Sequence, residues 1–285
     1  MLFRSGSTYA RCEEQVPGRQ QLIARALRGS FRVAILLFSL AEVLLRFAIL
    51  RIRCRGQVSL LLRSQWLHRS CAIITARLSL QVTAQGPLPG SGLVVANHLS
   101  YLDILFFSSR MPCIFISKSE VLSWPIFGIL ARCGGTIFVQ RGRGSALDDV
   151  SHQLSAALRA GVAVVLFPEG TSTDGSTVLR FYPGLFQTAV DIQAPVTASA
   201  ITYEADDGKE ADLCYYGDIT FAPHLFTVLS RKRVKATILF EDSPATYPDR
   251  KKAATTAHEH VTALRRAFET KMKLDRVNTS VRRRP

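Results

Sequence analysis

The sequence predicts an α/β fold, in which a central, mostly parallel sheet is flanked by helices and follows an N-terminal membrane-associated helical hairpin. Two patterns lead to this prediction. From residue 80 onward, short apolar runs typical of buried strands alternate with longer amphipathic segments, as in parallel sheets that helices cover. Before residue 80, long aliphatic runs are interrupted by arginines and contain few acids.

The first 79 residues divide into two parts. Residues 1–20 contain glycine, serine, proline and mixed charges, and we expect a disordered basic N-terminus there. Residues 21–79 are expected to form the hairpin, with helices over 22–50 and 58–78. The apolar stretch between Arg32 and Arg51 is just within the roughly 17–25 residues that span a bilayer. A single span and a helix that lies in the membrane interface are both compatible with this length.

The second helix is amphipathic and basic, and its Trp66 suits the level of the lipid headgroups. The formal net charge of +14 is concentrated at the two ends of the chain. Basic ends suit an anionic surface, either membrane lipid or nucleic acid. The arginines alternate with aliphatic runs rather than stacking aromatics, and no zinc-finger, phosphate-loop or RNA-binding motif is present. We therefore expect an anionic membrane surface as a partner, and no nucleic acid.

Residues 80–274 are expected to form the main domain, followed by a basic tail over 275–285. Its strands are predicted over 80–84, 93–96, 113–117, 135–140, 163–167, 197–203 and 234–240. Its helices are predicted over 102–109, 145–160, 184–191 and 255–273. The six cysteines have neither disulfide nor metal-site spacing, so we expect reduced thiols in a cytosol-facing protein and no bound metal.

One segment, Asn97–Asp103, combines a histidine and a carboxylate directly after a strand. Residues five apart on a helix point about 140° away from each other, so His98 and Asp103 can meet only if His98 precedes the helix. A histidine oriented by a carboxylate is suited to take a proton from a hydroxyl group. No GxSxG nucleophile motif is present, so that hydroxyl is expected to belong to a substrate. The alternative is a solvated loop histidine beside an ordinary first-turn acid.

Three further blocks follow along the domain. The strand after Gly135 ends in Arg141, and the strand before Phe167 ends in the loop Phe167-Pro168-Glu169-Gly170-Thr171. The fourth block, 194–201, opens a strand with small residues. Loops at the carboxyl ends of strands are where α/β sheets bind ligands, so these blocks are expected to line one site.

In this order, the blocks resemble the glycerolipid acyltransferase family that includes the bacterial 1-acylglycerol-3-phosphate acyltransferases. The resemblance covers about residues 80–205, and Lys118 before Trp124-Pro125-Ile126-Phe127-Gly128 also fits it. It implies that His98 is the general base for a lysolipid hydroxyl, that Asp103 orients it, and that acyl-CoA or acyl carrier protein is the acyl donor, without a cofactor. The substrate-binding positions that it implies are Asn97, Lys118, Gly135, Arg141, Glu169, Gly170 and Thr171. It also implies membrane association at the cytoplasmic face of the inner membrane.

The chain departs from the family pattern near the acceptor. Many members continue the FPEGT block with arginine and serine, where this chain has Ser172 and Thr173, and Tyr182 replaces a frequent lysine. Ala198 replaces the second proline of the fourth block. A phosphate group needs cationic donors, and Arg180 is the nearby residue able to replace those missing. Phosphatidic acid synthesis is the family default, and lyso-ornithine lipid acylation is the alternative that the variant loop resembles. A thioester hydrolase and a non-catalytic membrane-binding module are the remaining alternatives.

Overall fold

A computed structural model describes residues 18–140 and 144–282. In these ranges, seven strands form one sheet in the order β1-β7-β6-β2-β5-β3-β4. Neighbouring strands are parallel, except that β6 and β7 are antiparallel. The strands are β1 (Leu80–Gln85), β2 (Gly92–Ala96), β3 (Ile114–Lys118), β4 (Ile137–Val139), β5 (Ala163–Leu166), β6 (Val196–Ala205) and β7 (Val234–Phe240).

Helices cover both faces of the sheet, which confirms the predicted α/β class. One face packs against α1, α2, α3 and α7, and the other packs against α5, α6 and α8. The helices are α1 (Arg19–Arg53), α2 (Leu60–Arg77), α3 (Leu102–Arg110), α4 (Phe127–Cys133), α5 (Gly144–Arg159), α6 (Phe186–Asp191), α7 (Phe221–Ser230) and α8 (Arg250–Arg282). Short 3-10 helices cover Ser119–Ser123 and Glu210–Leu213.

Helix α1 is packed against the rest of the chain along most of its length. Its buried residues run from Gly29 to Phe47, and Arg32 donates to the carbonyl oxygens of Leu229 and Arg231 at 3.2 and 2.6 Å. These bonds satisfy carbonyl groups at the C-terminal end of α7. The helix is long and apolar enough to cross a membrane by length and composition. Its outward face exposes an apolar stripe, comprising Leu27, Phe31, Phe38, Leu45 and Ile52.

The hairpin corrects the expectation for Trp66. The indole is buried, its N–H donates to the carbonyl of Val43 at 3.1 Å, and its ring packs edge-on against Phe47. The side chain therefore joins the two helices and does not reach a headgroup layer, because it belongs to the face of α2 that meets α1. Glu42 and Arg46, one turn apart on α1, form an ion pair at 2.6 Å.

Element boundaries differ from the prediction in a few places. Helices α4 and α7 were not predicted, and α8 continues to Arg282 because neither glycine nor proline occurs over residues 274–282. The backbone of the predicted tail is thus helical through most of 275–285. Most of the expected disordered segment 1–20 lies outside the described residues.

Candidate active site

The site is built where β2 leaves the centre of the sheet. All five residues of β2 are buried, and the chain turns away from the sheet at Asn97. The Asn97 amide donates to the carbonyl of Ile201 at 3.1 Å and accepts from its N–H at 2.8 Å. Both ends of the amide are therefore used to align β2 with β6, and the buried Asn97 side chain lies among backbone groups rather than on the cavity wall.

The structure brings His98 and Asp103 together. His98 lies in the irregular segment before α3, and its Nδ1 is 2.7 Å from Oδ2 of Asp103, in the first turn of that helix. The same oxygen accepts the backbone N–H groups of Leu99 and Ser100 at 2.8 and 3.2 Å. A carboxylate at Nδ1 requires the proton of a neutral imidazole to be on that nitrogen, which leaves Nε2 as a proton acceptor.

The imidazole of His98 is also held by its surroundings. Its ring stacks on Phe167 with centroids 4.3 Å apart, and its side chain keeps 23% of its surface exposed. Its backbone N–H donates to Glu169 at 2.8 Å, and its carbonyl accepts from the N–H of Thr173 at 2.9 Å. The FPEGT block and the residue two positions after it therefore bind both the N–H and the carbonyl of His98.

Glu169 is a buried bridge between two loops. Its second carboxylate oxygen accepts the N–H of Leu179 at 2.7 Å. Burial raises the pKa of Glu169, and the two backbone N–H donors oppose that shift. In the described residues, both carboxylate oxygens of Glu169 accept backbone N–H groups. We therefore assign this side chain to holding the backbone of His98 in position.

An apolar cavity of about 590 Å³ includes His98 in its wall. Its polar wall near the histidine includes Lys118, Gly170, Thr171 and Ser172. Away from the histidine it is lined by aliphatic side chains of the hairpin and of α7, namely Leu36, Leu40, Leu67, Ile74, Leu78, Val228 and Leu229. The volume and the apolar lining suit a flexible hydrocarbon chain whose reactive end meets the histidine.

The remaining predicted site residues lie elsewhere. Gly135 has a positive φ of 81°, and a Cβ there would be 3.2 Å from Leu60, so it permits close packing against α2. Arg180 is exposed and is not part of the cavity wall. Arg141 lies outside the described residues. Of the predicted substrate-binding set, Lys118, Gly170 and Thr171 share the cavity with His98.

The departures from the family pattern also have a place in the structure. The hydroxyl of Ser172 donates to the backbone carbonyl of Tyr215, and the N–H of Tyr215 donates to the carbonyl of Leu99 at 2.8 Å. Position 172 therefore joins two loops around the site instead of presenting a cation. Tyr182 is on the cavity wall.

Sequence reasoning missed Tyr203. This buried residue of β6 donates its hydroxyl to Oδ1 of Asp103, the oxygen that His98 does not use. Its partner is 100 positions away in sequence. The sequence did contain one indication of Tyr203, because it is a polar residue at the carboxyl end of a predicted strand. The same feature singles out the other blocks.

Comparison with known proteins identifies relatives of this chain. Residues 79–202 match the family model described as Acyltransferase. A lyso-ornithine lipid O-acyltransferase of Pseudomonas aeruginosa is 34% identical over 198 residues, covering 69% of this chain and 75% of that protein. A 1-acyl-sn-glycerol-3-phosphate acyltransferase of Neisseria gonorrhoeae is 32% identical over 170 residues, covering 59% and 67%.

The fold is shared with a solved structure. The 1-acyl-sn-glycerophosphate acyltransferase PlsC of Thermotoga maritima superposes with a TM-score of 0.62 at 20% identity, covering 88% of this chain and 96% of that one. The sequence relatives, the matched residues and the His98–Asp103 geometry agree: this chain belongs to the acyltransferase family.

Proposed function

We propose that this protein transfers a fatty acyl group from a thioester, acyl-CoA or acyl carrier protein, to the free hydroxyl of a lysolipid at a membrane surface. The observation that carries the proposal is the carboxylate-oriented His98 in the wall of a large apolar cavity. The sequence carries no GxSxG nucleophile motif, which suits direct transfer between two substrates. The apolar cavity suits an acyl chain, which a thioester and a lysolipid both carry.

The reaction balances with the groups that line the cavity. Nε2 of His98 takes the proton of the acceptor hydroxyl as its oxygen attacks the thioester carbonyl carbon. The carbon–sulfur bond then breaks, and the leaving thiolate takes the proton back from the imidazolium. Asp103 stabilises that imidazolium between the two steps. Lys118 and Thr171 supply the polar groups that we assign to the acceptor headgroup and to the developing oxyanion.

The first candidate acceptor is 1-acyl-sn-glycerol-3-phosphate, which would give phosphatidic acid. The Neisseria relative is named for acylating this lipid, and Lys118 places a positively charged side chain on the cavity wall. The second candidate is a lyso-ornithine lipid, whose headgroup is zwitterionic. Ser172 favours it, because its hydroxyl is engaged by a backbone carbonyl at a position where many relatives carry arginine. The Pseudomonas relative of that name also covers more of the chain.

We further propose that the protein lies on the cytoplasmic face of the membrane without crossing it. Helix α1 packs on the domain from Gly29 to Phe47, so the helix and the domain share one side of the bilayer. Its apolar stripe then enters the lipid interface, and the flanking arginines meet anionic headgroups. Thioester donors made in the cytosol reach the cavity from that side.

The test is an acyl-transfer assay with the full chain in vesicles. Lysophosphatidic acid and lyso-ornithine lipid are offered separately, each with acyl-CoA and with acyl carrier protein. Release of thiol that depends on a lysolipid supports transfer, whereas equal release without any acceptor identifies a hydrolase. Lipid extracts from cells with and without the protein then show whether phosphatidic acid or ornithine lipid increases.

A further inference from the structure

Tyr203 contacts the catalytic pair, and the mechanism above does not use it. Its hydroxyl donates to Oδ1 of Asp103, while His98 binds Oδ2. Both Tyr203 and Asp103 are buried. Burial and the negative charge of Asp103 raise the pKa of Tyr203 well above its usual value, so the phenol keeps its proton and acts as a donor.

Tyr203 is itself held in place from two sides. Its backbone N–H donates to Oε1 of Glu210 at 2.8 Å, and its ring packs edge-on against Phe106, one turn after Asp103 on α3. Glu210 is paired at 2.8 Å with Arg265 of α8, a nearly fully buried side chain. The phenol therefore has one orientation, which points at the carboxylate.

We infer that Tyr203 is a positioning residue of the acyl transfer, which holds the Asp103 carboxylate aimed at His98. The inference rests on the proposed function and adds no covalent step. A fully buried carboxylate stays charged only with enough donors, and Asp103 has the phenol, the imidazole and two backbone N–H groups. Without the phenol, Oδ1 of Asp103 loses its hydrogen-bond donor. The carboxylate is then less stabilised, so the His98–Asp103 pair holds its proton more strongly.

Other titratable and charged groups surround this pair. Those that line the cavity or lie on the neighbouring loops and helices are Tyr101, Lys118, Glu169, Asp174, Glu210, Cys214, Tyr215 and Arg265. Replacing Tyr203 by phenylalanine changes none of them. A change in the pH dependence of the variant therefore reports the missing hydroxyl.

The experiment compares Tyr203→Phe with the wild-type full chain in vesicles, using an acyl thioester and the lysolipid that the wild type accepts. We expect kcat to fall about tenfold with little change in KM, as when one charged hydrogen bond is lost. The acid limb of the rate profile moves to higher pH by roughly half a unit, because the pair retains its proton to higher pH. Tyr247→Phe, which removes a hydroxyl from the core on the other face of the sheet, leaves the profile unchanged.

A double variant separates positioning from packing. In an Asp103→Asn background, adding Tyr203→Phe should cost no further activity, and a full additional loss overturns the inference. If Tyr203→Phe does not fold, 3-fluorotyrosine at position 203 supplies a stronger donor of nearly the same shape. The acid limb then moves to lower pH, and an unmoved limb overturns the inference.

The two proposals fail in different ways. A wild-type chain that transfers no acyl group to either lysolipid overturns the proposed function, and this inference with it. An active wild type whose pH profile superimposes on that of Tyr203→Phe overturns this inference alone.

Discussion

The carboxylate of Glu169 accepts the backbone N–H of His98 at 2.8 Å. The two blocks that single out this chain in sequence, Asn97–Asp103 and Phe167–Thr171, are thus joined through the main chain of the base itself. The other oxygen of Glu169 holds the N–H of Leu179, so one buried side chain ties the base to the loop beyond the FPEGT block.

Removing one acceptor from this bridge should loosen the base. In Glu169→Gln the amide NH₂ must face one of the two backbone N–H donors, which leaves that donor unsatisfied. We expect a loss of about 1–3 kcal/mol in the free energy of unfolding, and a fall in kcat larger than any change in KM. Thermal melting and steady-state kinetics measure the two effects. The exposed Glu259→Gln is the matched control, and wild-type behaviour of Glu169→Gln would contradict the bridge.

The base itself is tested by His98→Ala. Loss of a general base lowers kcat by about 10²–10⁴-fold. Because the ring is only 23% exposed and pairs with the buried Asp103, circular dichroism checks that the variant is folded. Asp103→Asn should lose activity comparably, because the tautomer of His98 is no longer fixed. His152→Ala, at an exposed histidine on α5, should be fully active. A folded His98→Ala enzyme with wild-type turnover would exclude the mechanism.

The cavity predicts a limit on acyl chain length. Leu40 of α1 is buried and lines the cavity, so Leu40→Trp fills space that an acyl chain would occupy. We expect the variant to favour shorter acyl thioesters than the wild type does, as measured by kcat/KM across a chain-length series. Leu37→Trp adds the same bulk on the exposed side of the helix and should leave the preference unchanged. An unaltered preference in Leu40→Trp would place the acyl chain elsewhere.

Membrane binding should depend on the outward face of α1. Replacing Phe31, Phe38 and Leu45 by serine removes three exposed apolar side chains, each contributing about 1.5–3 kcal/mol when fully buried in lipid. Partitioning into anionic vesicles should fall more than tenfold, with the melting temperature nearly unchanged. Leu274→Ser, at an exposed leucine of α8, serves as the control. Undiminished sedimentation with vesicles would rule out this face as the anchor.

His224 should make the fold sensitive to mild acid. Burial lowers the pKa of His224 from its ordinary 6.5, while its Nδ1 is 3.0 Å from the hydroxyl of Tyr101. The unfolded chain therefore takes up a proton near pH 6.5 that the folded chain resists. The stability contributed by this site is complete above pH 6.5 and decreases as the pH falls below it.

His224→Gln keeps a hydrogen-bonding side chain and removes the titration. We expect the difference in melting temperature between one pH unit above and one below 6.5 to be smaller in this variant than in the wild type. His152→Gln, at an exposed position, should retain the full difference. Equal pH dependence in wild type and His224→Gln would show that the acid sensitivity arises elsewhere.

Much of the fold could be predicted from local patterns, because the hydrophobic periodicity of strands and helices is visible within a few neighbouring residues. Helix α7 was missed because Pro223 interrupts an otherwise helical run, although proline is tolerated in a first turn. Of the predicted site residues, Lys118, Gly170 and Thr171 share the cavity with His98, whereas Gly135 and Arg180 do not line it. Asn97 and Glu169 bind distant backbone groups, and Tyr203 meets a partner 100 positions away. Such contacts depend on the order of the strands, which no short motif encodes.

The packing of α1 along the domain has a consequence for kinetics. Leu36 and Leu40 of α1 line the cavity, so on the proposed membrane-surface function the lysolipid would reach the base by lateral diffusion and the product would return to the same leaflet. The relevant substrate concentration is then a mole fraction in two dimensions. Diluting the lysolipid with inert lipid should slow turnover even when its amount per volume of suspension is constant.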